Sequence, residues 1–395
     1  MEYTDAYFDE PLERRNTWSK KWDGCAANFG LESNAGIIPM WIADMDFRAP
    51  QEVVEVLRQR VECQAYGYST ESDCFYQAIQ DWVKRHYHWD VKKEWIVFTP
   101  GVIPGYNIVI QSFTQPGDGI IVQPPVYYPF MDSVRFNGRT IVYNPLYEKE
   151  GDYTMDFADL EAKVKDPRNK LLILCNPHNP VGRVWTREEL ETLGNLCADN
   201  GVLLISDEIH ADLMMDGAEH QAVCAISEKL RQNTITHYSP SKTFNLAGLQ
   251  TAYTIIPNDR LRERYLVGIK ANRIFNMNWF GGPALVAAYT QCDGYVKALC
   301  RYVSANMDFM GDFLKERLPQ LKMKKPEGTY MVWVDFRGTG MTAEEIESFI
   351  VQQAHIGTDM GSWFGPGGAG YLRFNLACPR STLEKALEQL EKALQ

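Results

Sequence analysis

The sequence predicts an α/β fold, because short apolar runs alternate with longer stretches of helical periodicity through the middle of the chain. The six apolar runs are Trp95–Phe98, Ile120–Val122, Leu171–Cys175, Val202–Ser206, Thr234–Tyr238 and Ala252–Ile256. Strands buried on both faces of a parallel sheet have this pattern of continuous apolar residues. We therefore expect the runs to form a mostly parallel sheet.

A helical pattern lies between two of these runs, over Thr186–Asn200. Its apolar residues recur every three or four positions and so share one face: Leu190, Leu193, Leu196 and Cys197. Thr186, followed closely by two glutamates, is typical of a helix start, and Gly201 is typical of a helix end. Helices of this kind are expected to flank the sheet.

The last third of the chain has a different pattern. A long, mostly helical stretch, Ala284–Leu318, is followed by two strand-like runs, Tyr330–Phe336 and Tyr371–Leu376, and by helical segments at Thr342–Ala354 and Ser381–Leu394. A single hydrophobic core stops growing near ~250–300 residues, and the chain has 395 residues. We therefore expect a second, smaller α+β domain.

Composition excludes several classes of protein. The net charge of −11 argues against a nucleic-acid partner, which needs a basic surface. No run reaches the ~18 apolar residues of a membrane span, and the N-terminal segment lacks the apolar core of a signal peptide. The nine cysteines are scattered and form no CxxC pair, which predicts reduced thiols in a cytoplasmic protein and no metal site.

Residues with useful chemistry follow five of the six apolar runs. In open α/β sheets, ligands bind beyond the carboxyl ends of the strands. The segments in question are Thr99–Ile103, Gln123–Tyr128, Asn176–Gly182, Asp207–His210 and Ser239–Lys242. They would bring an anion-binding turn, an aromatic ring, an amide, a carboxylate and a lysine to one edge of the sheet.

These segments carry a family resemblance. SPSKTFNLAGLQ, NPHNPVG and SDEIHADL resemble the signatures of fold-type I enzymes that use pyridoxal 5′-phosphate (PLP), the aspartate-aminotransferase superfamily. WIADMDF, YGY, DEIH and PEGTYMVWVDF resemble, more narrowly, the MalY/PatB family of cystathionine β-lyases, or C–S lyases. The resemblance covers nearly the whole chain.

The resemblance implies an overall architecture. A large domain, residues 46–284, would hold a mostly parallel seven-stranded sheet flanked by helices, and residues 1–45 and 285–395 would form the small domain. It also implies a homodimer with shared active sites, in which Tyr66 reaches the cofactor phosphate of the neighbouring subunit. The alternative for Tyr66 is ordinary packing.

Two ionisable residues take central roles by this resemblance. Lys242 would hold PLP as a Schiff base and, once freed, take the α-proton of the substrate as a base. The apolar run before Lys242 argues against a solvated surface lysine. Asp207 would pair with the pyridinium nitrogen, so that the ring can withdraw electrons. The alternative for Asp207 is a helix N-cap.

Other residues would contact the ring of the cofactor. Asn179 would donate its side-chain amide to the phenolic oxygen, and His210 occupies the position at which many aminotransferases place a tyrosine with that role. Tyr127 would stack on the ring, with Tyr128 as the competing candidate.

The phosphate and the substrate need separate donors. Backbone N–H groups of Gly101, Val102 and Ile103 would bind the phosphate at the start of a helix, and Ser239 would add a hydroxyl. Arg373, in YLRFNL, would bind the substrate α-carboxylate through its planar fork, with Asn179 and Tyr127 also beside the substrate. The alternative for Arg373 is a surface arginine on an edge strand.

The residues alone leave the reaction open. Transamination and β-elimination of a thiolate share their first steps and use the same lysine and aspartate. His210 and Gln250 replace a tyrosine and an arginine that many aminotransferases carry, which favours the C–S lyase subgroup. A class I/II aminotransferase and a PLP-bound regulatory protein stay as alternatives. Among lyase substrates, cystathionine, cystine and other cysteine S-conjugates are all compatible with the sequence.

Overall fold

The structure is a computed structural model that describes residues 3–395. Its strands are β1 (Ile38–Pro39), β2 (Ile96–Thr99), β3 (Gly119–Val122), β4 (Thr140–Tyr143), β5 (Tyr147–Lys149), β6 (Asp152–Thr154), β7 (Asn169–Cys175), β8 (Leu203–Asp207), β9 (Thr234–Tyr238), β10 (Ala252–Ile255), β11 (Lys322–Met323), β12 (Met331–Asp335), β13 (Ile356–Gly357), β14 (Asp359–Met360) and β15 (Tyr371–Asn375). Its helices are α1 (Asp5–Asp9), α2 (Cys25–Phe29), α3 (Gln51–Glu62), α4 (Asp73–Tyr87), α5 (Val102–Phe113), α6 (Pro129–Phe136), α7 (Phe157–Val164), α8 (Arg187–Asp199), α9 (Val223–Ile226), α10 (Glu228–Gln232), α11 (Asp259–Ala271), α12 (Gly281–Gln291), α13 (Asp293–Arg317), α14 (Ala343–Gln352) and α15 (Arg380–Leu394).

The main sheet has seven strands in the order β2-β10-β9-β8-β7-β3-β4. The pairs β9–β8, β8–β7, β7–β3 and β3–β4 are parallel, whereas β10 is antiparallel to both of its neighbours. The prediction of a mostly parallel α/β sheet is therefore confirmed, and one of the six predicted strands, β10, runs the opposite way. The six apolar runs match six of the strands to within two residues at either end.

The carboxyl ends of the remaining strands lie at one edge of the sheet. Because β2 and β9 are both antiparallel to β10, β2 runs in the same direction as β9. The five segments that follow β2, β3, β7, β8 and β9 therefore begin at the same edge. This is the arrangement that the strand-end pattern predicts.

Both faces of the sheet are buried, which explains why the strands are continuously apolar. In β7, Leu171 and Ile173 pack with residues of α5, α6 and α11, whereas Leu172 and Leu174 pack with residues of α7 and α8. Successive strand residues point to opposite faces, so both sets must be apolar. Helix α8 begins with a capping box between Thr186 and Glu189, as the sequence predicts.

A second sheet has four strands in the order β11-β12-β15-β14, all antiparallel. The N-terminal segment contacts this part of the chain: β1 pairs with β13, and the ring of Phe8 lies 5.4 Å from that of Tyr302. Large and small domains are consistent with these two sheets, but the exact division stays a prediction. Within residues 3–395, no helix is long and apolar enough to cross a membrane.

The long helical stretch and the main sheet each differ from the sequence prediction in one respect. The stretch predicted as one long helical region forms α12 and α13, which are separated at Cys292, where φ is −113° and ψ is 24°. Strand β4 was not among the predicted runs; it lies at the edge of the sheet and is only partly buried. Its four residues therefore lack the fully apolar pattern of the interior strands.

Candidate active site

A cavity of about 180 Å³ lies at the carboxyl edge of the main sheet. Nine predicted site residues line it: Gly101, Val102, Ile103, Tyr127, Asn179, Asp207, His210, Ser239 and Lys242. All five strand-end segments, including the turn that follows β2, contribute residues to its lining. Of the other two predicted residues, Arg373 lies behind the wall of the cavity and Tyr66 lies outside it.

Lys242 enters the cavity from the loop that follows β9. Its Nζ donates a hydrogen bond to the carbonyl of Ala43 at 2.7 Å. Burial lowers the pKa of the Lys242 amine to about 8, against the opposing influence of the Asp44 carboxylate. Near neutral pH, a larger fraction of this amine is uncharged than in an exposed lysine. It can therefore act as a nucleophile or a base.

The loop that carries Lys242 is fixed by its neighbours. Thr243 Oγ1 donates to Asp212 Oδ2 at 2.7 Å. Asn245 Nδ2 donates to the carbonyls of Met45 and Phe47, each at 2.9 Å, and its Oδ1 accepts from the Met45 N–H at 3.1 Å. The WIADMDF segment thus holds the lysine loop at its position beside the cavity.

Asp207 ends β8 and is 4% exposed. Its Oδ1 accepts a hydrogen bond from the N–H of Ile209 at 3.1 Å. This is the hydrogen bond that the Asp207 carboxylate makes within the described chain. Burial raises the pKa of the Asp207 carboxyl to about 7, although the Ile209 N–H and the charge of Lys242 lower it. A buried carboxylate of this kind is stabilised by a cationic or N–H group in the cavity.

Arg373, on β15, is buried behind Asn179. Its Nη1 donates to Asn179 Oδ1 at 2.9 Å, and its Nη2 donates to the carbonyl of Trp41 at 3.1 Å and to Asp359. Because the Asn179 oxygen is occupied by Arg373, the amide N–H group of Asn179 is the end available to the cavity.

His210 and Tyr127 form further parts of the wall. His210 is 3% exposed, and within the described residues its Nδ1 has no hydrogen-bond partner. Burial, followed by the charges of Lys242 and Arg373, lowers the pKa of His210 well below its usual value, so the ring is neutral. Tyr127 lines the cavity, whereas its competitor Tyr128 packs against Trp363 and Phe364.

Backbone donors also line the cavity. Helix α5 begins at Val102, with Gly101 as its N-cap. The first N–H groups of a helix have no intrahelical partner and bind anions, and Pro104 contributes none. Ser239 Oγ donates to the carbonyl of Thr251 at 2.7 Å. Its hydroxyl proton is therefore committed within the protein, and the neighbouring Ser241 brings a second hydroxyl to the cavity.

Tyr66 is 57% exposed and does not line this cavity. Its hydroxyl donates to the carbonyl of Val61 at 3.0 Å, and its ring lies 5.9 Å from that of Phe280. In the described chain, Tyr66 is therefore a surface residue.

The cavity fits PLP, the cofactor that the sequence resemblance implies. An aldehyde requires an amine of lowered pKa, a pyridine nitrogen requires a carboxylate, and a phosphate requires N–H and hydroxyl donors. Lys242, Asp207 and the start of α5 supply these groups, and His210 adds a neutral ring with an unpartnered nitrogen. Within residues 3–395, no group of three or more side chains is assembled to hold a metal ion.

Sequence reasoning missed three residues at the site. Ala43 accepts the hydrogen bond of Lys242, Ser241 lines the cavity, and Asp359 pairs with Arg373. The position of Ser241 directly before the lysine is a signal that could have identified it. Ala43 contributes its backbone carbonyl, which any residue could supply. Asp359 is placed opposite Arg373 by the register of two strands, so neither residue could be identified from the sequence.

Known proteins resemble this chain over its full length. Residues 36–390 match the family model described as aminotransferase class I and II. Cystathionine beta-lyase PatB of Bacillus subtilis is 41% identical over 98% of this chain and 99% of its own. Protein MalY of Escherichia coli is 32% identical over 98% of both chains.

A solved structure extends the likeness to three dimensions. The PLP-bound C–S lyase of Staphylococcus hominis has a TM-score of 0.92 and 32% identity, and the match covers 100% of this chain and 98% of that one. Identity above 30% over whole chains, together with the family model, establishes common descent. The chain therefore belongs to the aminotransferase class I and II family, in the branch that contains PatB and MalY.

Proposed function

We propose that this protein is a PLP-dependent C–S β-lyase of the cystathionine β-lyase type. It acts on an amino acid, a cysteine S-conjugate, and yields a thiol, pyruvate and ammonia. The pairing of Lys242 and Asp207 in one cavity supports PLP chemistry of either kind. The observation that carries the choice of a lyase is that His210 and Gln250 line the same cavity, where many aminotransferases have a tyrosine and an arginine. Full-length relatives are a cystathionine β-lyase and a PLP-bound C–S lyase.

When bound, PLP supplies an electron-withdrawing ring that stabilises negative charge at the substrate α-carbon. The chain's own residues supply the proton transfers. Lys242 Nζ, kept partly neutral by burial, takes the α-proton of the substrate. The buried carboxylate of Asp207 would hold a proton on the pyridine nitrogen of the cofactor.

The remaining residues hold and orient the reactants. The N–H groups of Val102 and Ile103, with the Ser241 hydroxyl, would bind the phosphate. Ser239 would add its hydroxyl by exchanging its hydrogen bond to the Thr251 carbonyl for one to the phosphate. Arg373 would bind the substrate carboxylate. Fixing the carboxylate sets the torsion about the Cα–Cβ bond, and such positioning contributes strongly to catalysis.

An amino-acid substrate is compatible with both lyase and aminotransferase chemistry. Gln250 lines the cavity beside the expected phosphate site and brings no charge, in contrast to the arginine of many aminotransferases. His210 is neutral where those enzymes carry a tyrosine. Both differences support the lyase, as does the likeness to PatB.

The proposal includes a homodimer with shared active sites. Tyr66 and Tyr68 are 57% and 91% exposed on one subunit and lie in the YGY segment. A second copy would cover these rings, and Tyr66 would reach the phosphate of the partner's cofactor. A cytoplasmic location is also part of the proposal, which the nine unpaired cysteines support.

The division into domains belongs to the same proposal. A large domain of residues 46–284 contains the whole seven-stranded sheet, and a small domain of residues 1–45 and 285–395 contains the four-stranded sheet. The cavity then lies at the edge of the large domain, with Arg373 contributed by the small one.

The experiment is a product analysis with L-cystathionine as sole substrate and no keto acid. We expect pyruvate, ammonia and free thiol over many turnovers of the holoenzyme. A reaction that stops after one turnover and resumes when 2-oxoglutarate is added would instead establish an aminotransferase. A holoenzyme with neither activity would point to a regulatory role.

A further inference from the structure

Arg373 has an ionic partner inside the protein. Asp359 on β14 stands directly opposite Arg373 on β15 in the strand register. Both side chains are only 2% exposed, and Asp359 Oδ2 accepts a hydrogen bond from Arg373 Nη2. Directly opposed residues of antiparallel strands extend from the same face of a sheet, so the register itself fixes this ion pair.

The guanidinium is otherwise surrounded by neutral acceptors. Arg373 Nη1 donates to Asn179 Oδ1 at 2.9 Å, and Nη2 also donates to the Trp41 carbonyl at 3.1 Å. Within the described residues, Arg373 Nε and Asp359 Oδ1 have no hydrogen-bond partner. Among residues 3–395, the carboxylate that contacts Arg373 is therefore that of Asp359.

A substrate carboxylate would meet an arginine whose charge is already neutralised. Two buried carboxylates on one guanidinium repel each other, and each holds the arginine less strongly than it would alone. Conversely, a buried arginine without any carboxylate is an uncompensated charge that attracts an anion. Asp359 therefore stabilises the substrate-free site and weakens the affinity for a ligand carboxylate.

We propose that Asp359 is a positioning residue that holds Arg373 in the substrate-free enzyme and competes with the substrate carboxylate for it. The inference rests on the proposed function, in which Arg373 binds that carboxylate. Asp359 gives way when substrate binds, so its charge affects binding and leaves the subsequent proton transfers to Lys242 unchanged.

The test is Asp359→Asn in the holoenzyme, which removes the charge and keeps one oxygen as an acceptor. We expect the KM for L-cystathionine to fall roughly tenfold, because charge-assisted hydrogen bonds have energies of this order. The kcat should stay within about twofold of the parent value. The inhibition constant of propionate, a carboxylate without an amine, should fall in parallel.

A matched control is Asp335→Asn. Asp335 lies on β12, the other strand that pairs with β15, and forms an ion pair with the partly exposed Arg337. This variant should leave the KM and the propionate inhibition constant unchanged. If Asp359→Asn does not accumulate as folded protein, Asp359→Ser offers a second neutral replacement with the same expected result. A KM or propionate constant that is unchanged or higher in a folded, neutral variant overturns the inference.

Arg373→Lys separates this inference from the proposed function. Weaker inhibition by propionate in Arg373→Lys supports the carboxylate site, and a failure of the Asp359 variants then removes only the role of Asp359. Unchanged inhibition in Arg373→Lys means that the carboxylate binds elsewhere, and both the site assignment and the inference are then wrong.

Discussion

At the scale of single residues, one physical cause prepares both ionisable groups of the cavity. Burial disfavours charge, so it lowers the pKa of Lys242 to about 8 and raises that of Asp207 to about 7. An exposed lysine and aspartate differ by more than six units in pKa. Here the two groups titrate close to neutrality, which suits an amine that must be nucleophilic and a carboxylate that must receive a cation.

The first prediction concerns Lys242. Lys242→Ala should lower turnover of L-cystathionine at least about a hundredfold, because the general base is lost. Borohydride reduction of the parent holoenzyme followed by peptide mapping should find pyridoxyl on Lys242. Lys385→Ala, at an exposed position of α15, should behave like the parent. Label on any other lysine would contradict the site.

The second prediction concerns the cost of burying Asp207. Its folded pKa of about 7 lies above the usual 3.8, so the cofactor-free folded protein binds a proton that the unfolded chain releases. Stability is therefore lost as pH rises from about 4 to about 7, by at most about 4 kcal/mol. Asp207→Asn carries no such charge. We expect the cofactor-free variant to be more stable than the parent.

Thermal unfolding of the two cofactor-free proteins across this pH range measures the effect. The difference in the free energy of unfolding between the variant and the parent should be near zero at about pH 4, increase up to about pH 7 and then stay constant. A difference in the free energy of unfolding that does not depend on pH would show that Asp207 is stabilised by groups other than a bound proton. The holoenzyme of Asp207→Asn should be far less active, because the ring nitrogen loses its partner.

At the scale of elements, the start of α5 shows how a strand end becomes a binding site. Gly101 is extended, with φ 175° and ψ 163°, and the helix begins immediately after it. Pro104 occupies the first turn, where its missing N–H does not interrupt the helix. The N–H groups of Val102 and Ile103 are then the donors that the helix leaves free for an anion.

The third prediction tests these backbone donors. Val102→Pro removes one N–H at the first helical position, where proline is well tolerated, and the extended Gly101 before it accommodates a proline. We expect the dissociation constant of PLP to rise roughly tenfold, since one hydrogen bond to a charged group is lost. Val102→Ala removes the buried side chain and keeps the N–H. Equal PLP affinities in the two variants would exclude a phosphate contact here.

At the scale of the whole molecule, the WIADMDF segment joins the site to the four-stranded sheet. Asn245 of the lysine loop binds the backbone of Met45, and Asn375 of β15 donates to the carbonyls of Ile42 and Asp44 at 2.7 and 2.9 Å. The same segment offers the Ala43 carbonyl to Lys242 and to the Tyr330 hydroxyl. Arg373 also donates to the carbonyl of Trp41 in this segment, so Lys242 and Arg373 are both positioned by one stretch of backbone.

The fourth prediction concerns the dimer. A heterodimer of Lys242→Ala and Tyr66→Phe subunits has one site with both changes and one site with neither, if Tyr66 acts across the interface. Random pairing makes about half of the dimers mixed, so roughly a quarter of the parent activity should return. Tyr68→Phe, in the same exposed segment, should retain activity as a homodimer. Verified heterodimers without restored activity would rule out shared sites.

The sequence by itself determined the fold class and most of the cavity. Interior strands must be apolar on both faces, so β7 and β8 could be located from their continuous runs of apolar residues. The partly buried edge strand β4 has no such run and could not be located in this way. Chemistry at the ends of parallel strands converges by geometry, which is why nine residues predicted from local motifs line one cavity.

Only the tertiary structure decided which residues from other parts of the sequence contact the residues of the site. Tyr127 lines the cavity and Tyr128 does not, because the ring of Tyr128 packs against Trp363, more than 230 positions away. The pairing of Asp359 with Arg373 depends on the register of β14 and β15. The hydrogen bond that Lys242 donates depends on packing that brings the carbonyl of Ala43 beside it. Register and backbone contacts arise from packing across the whole chain, and no local pattern encodes them.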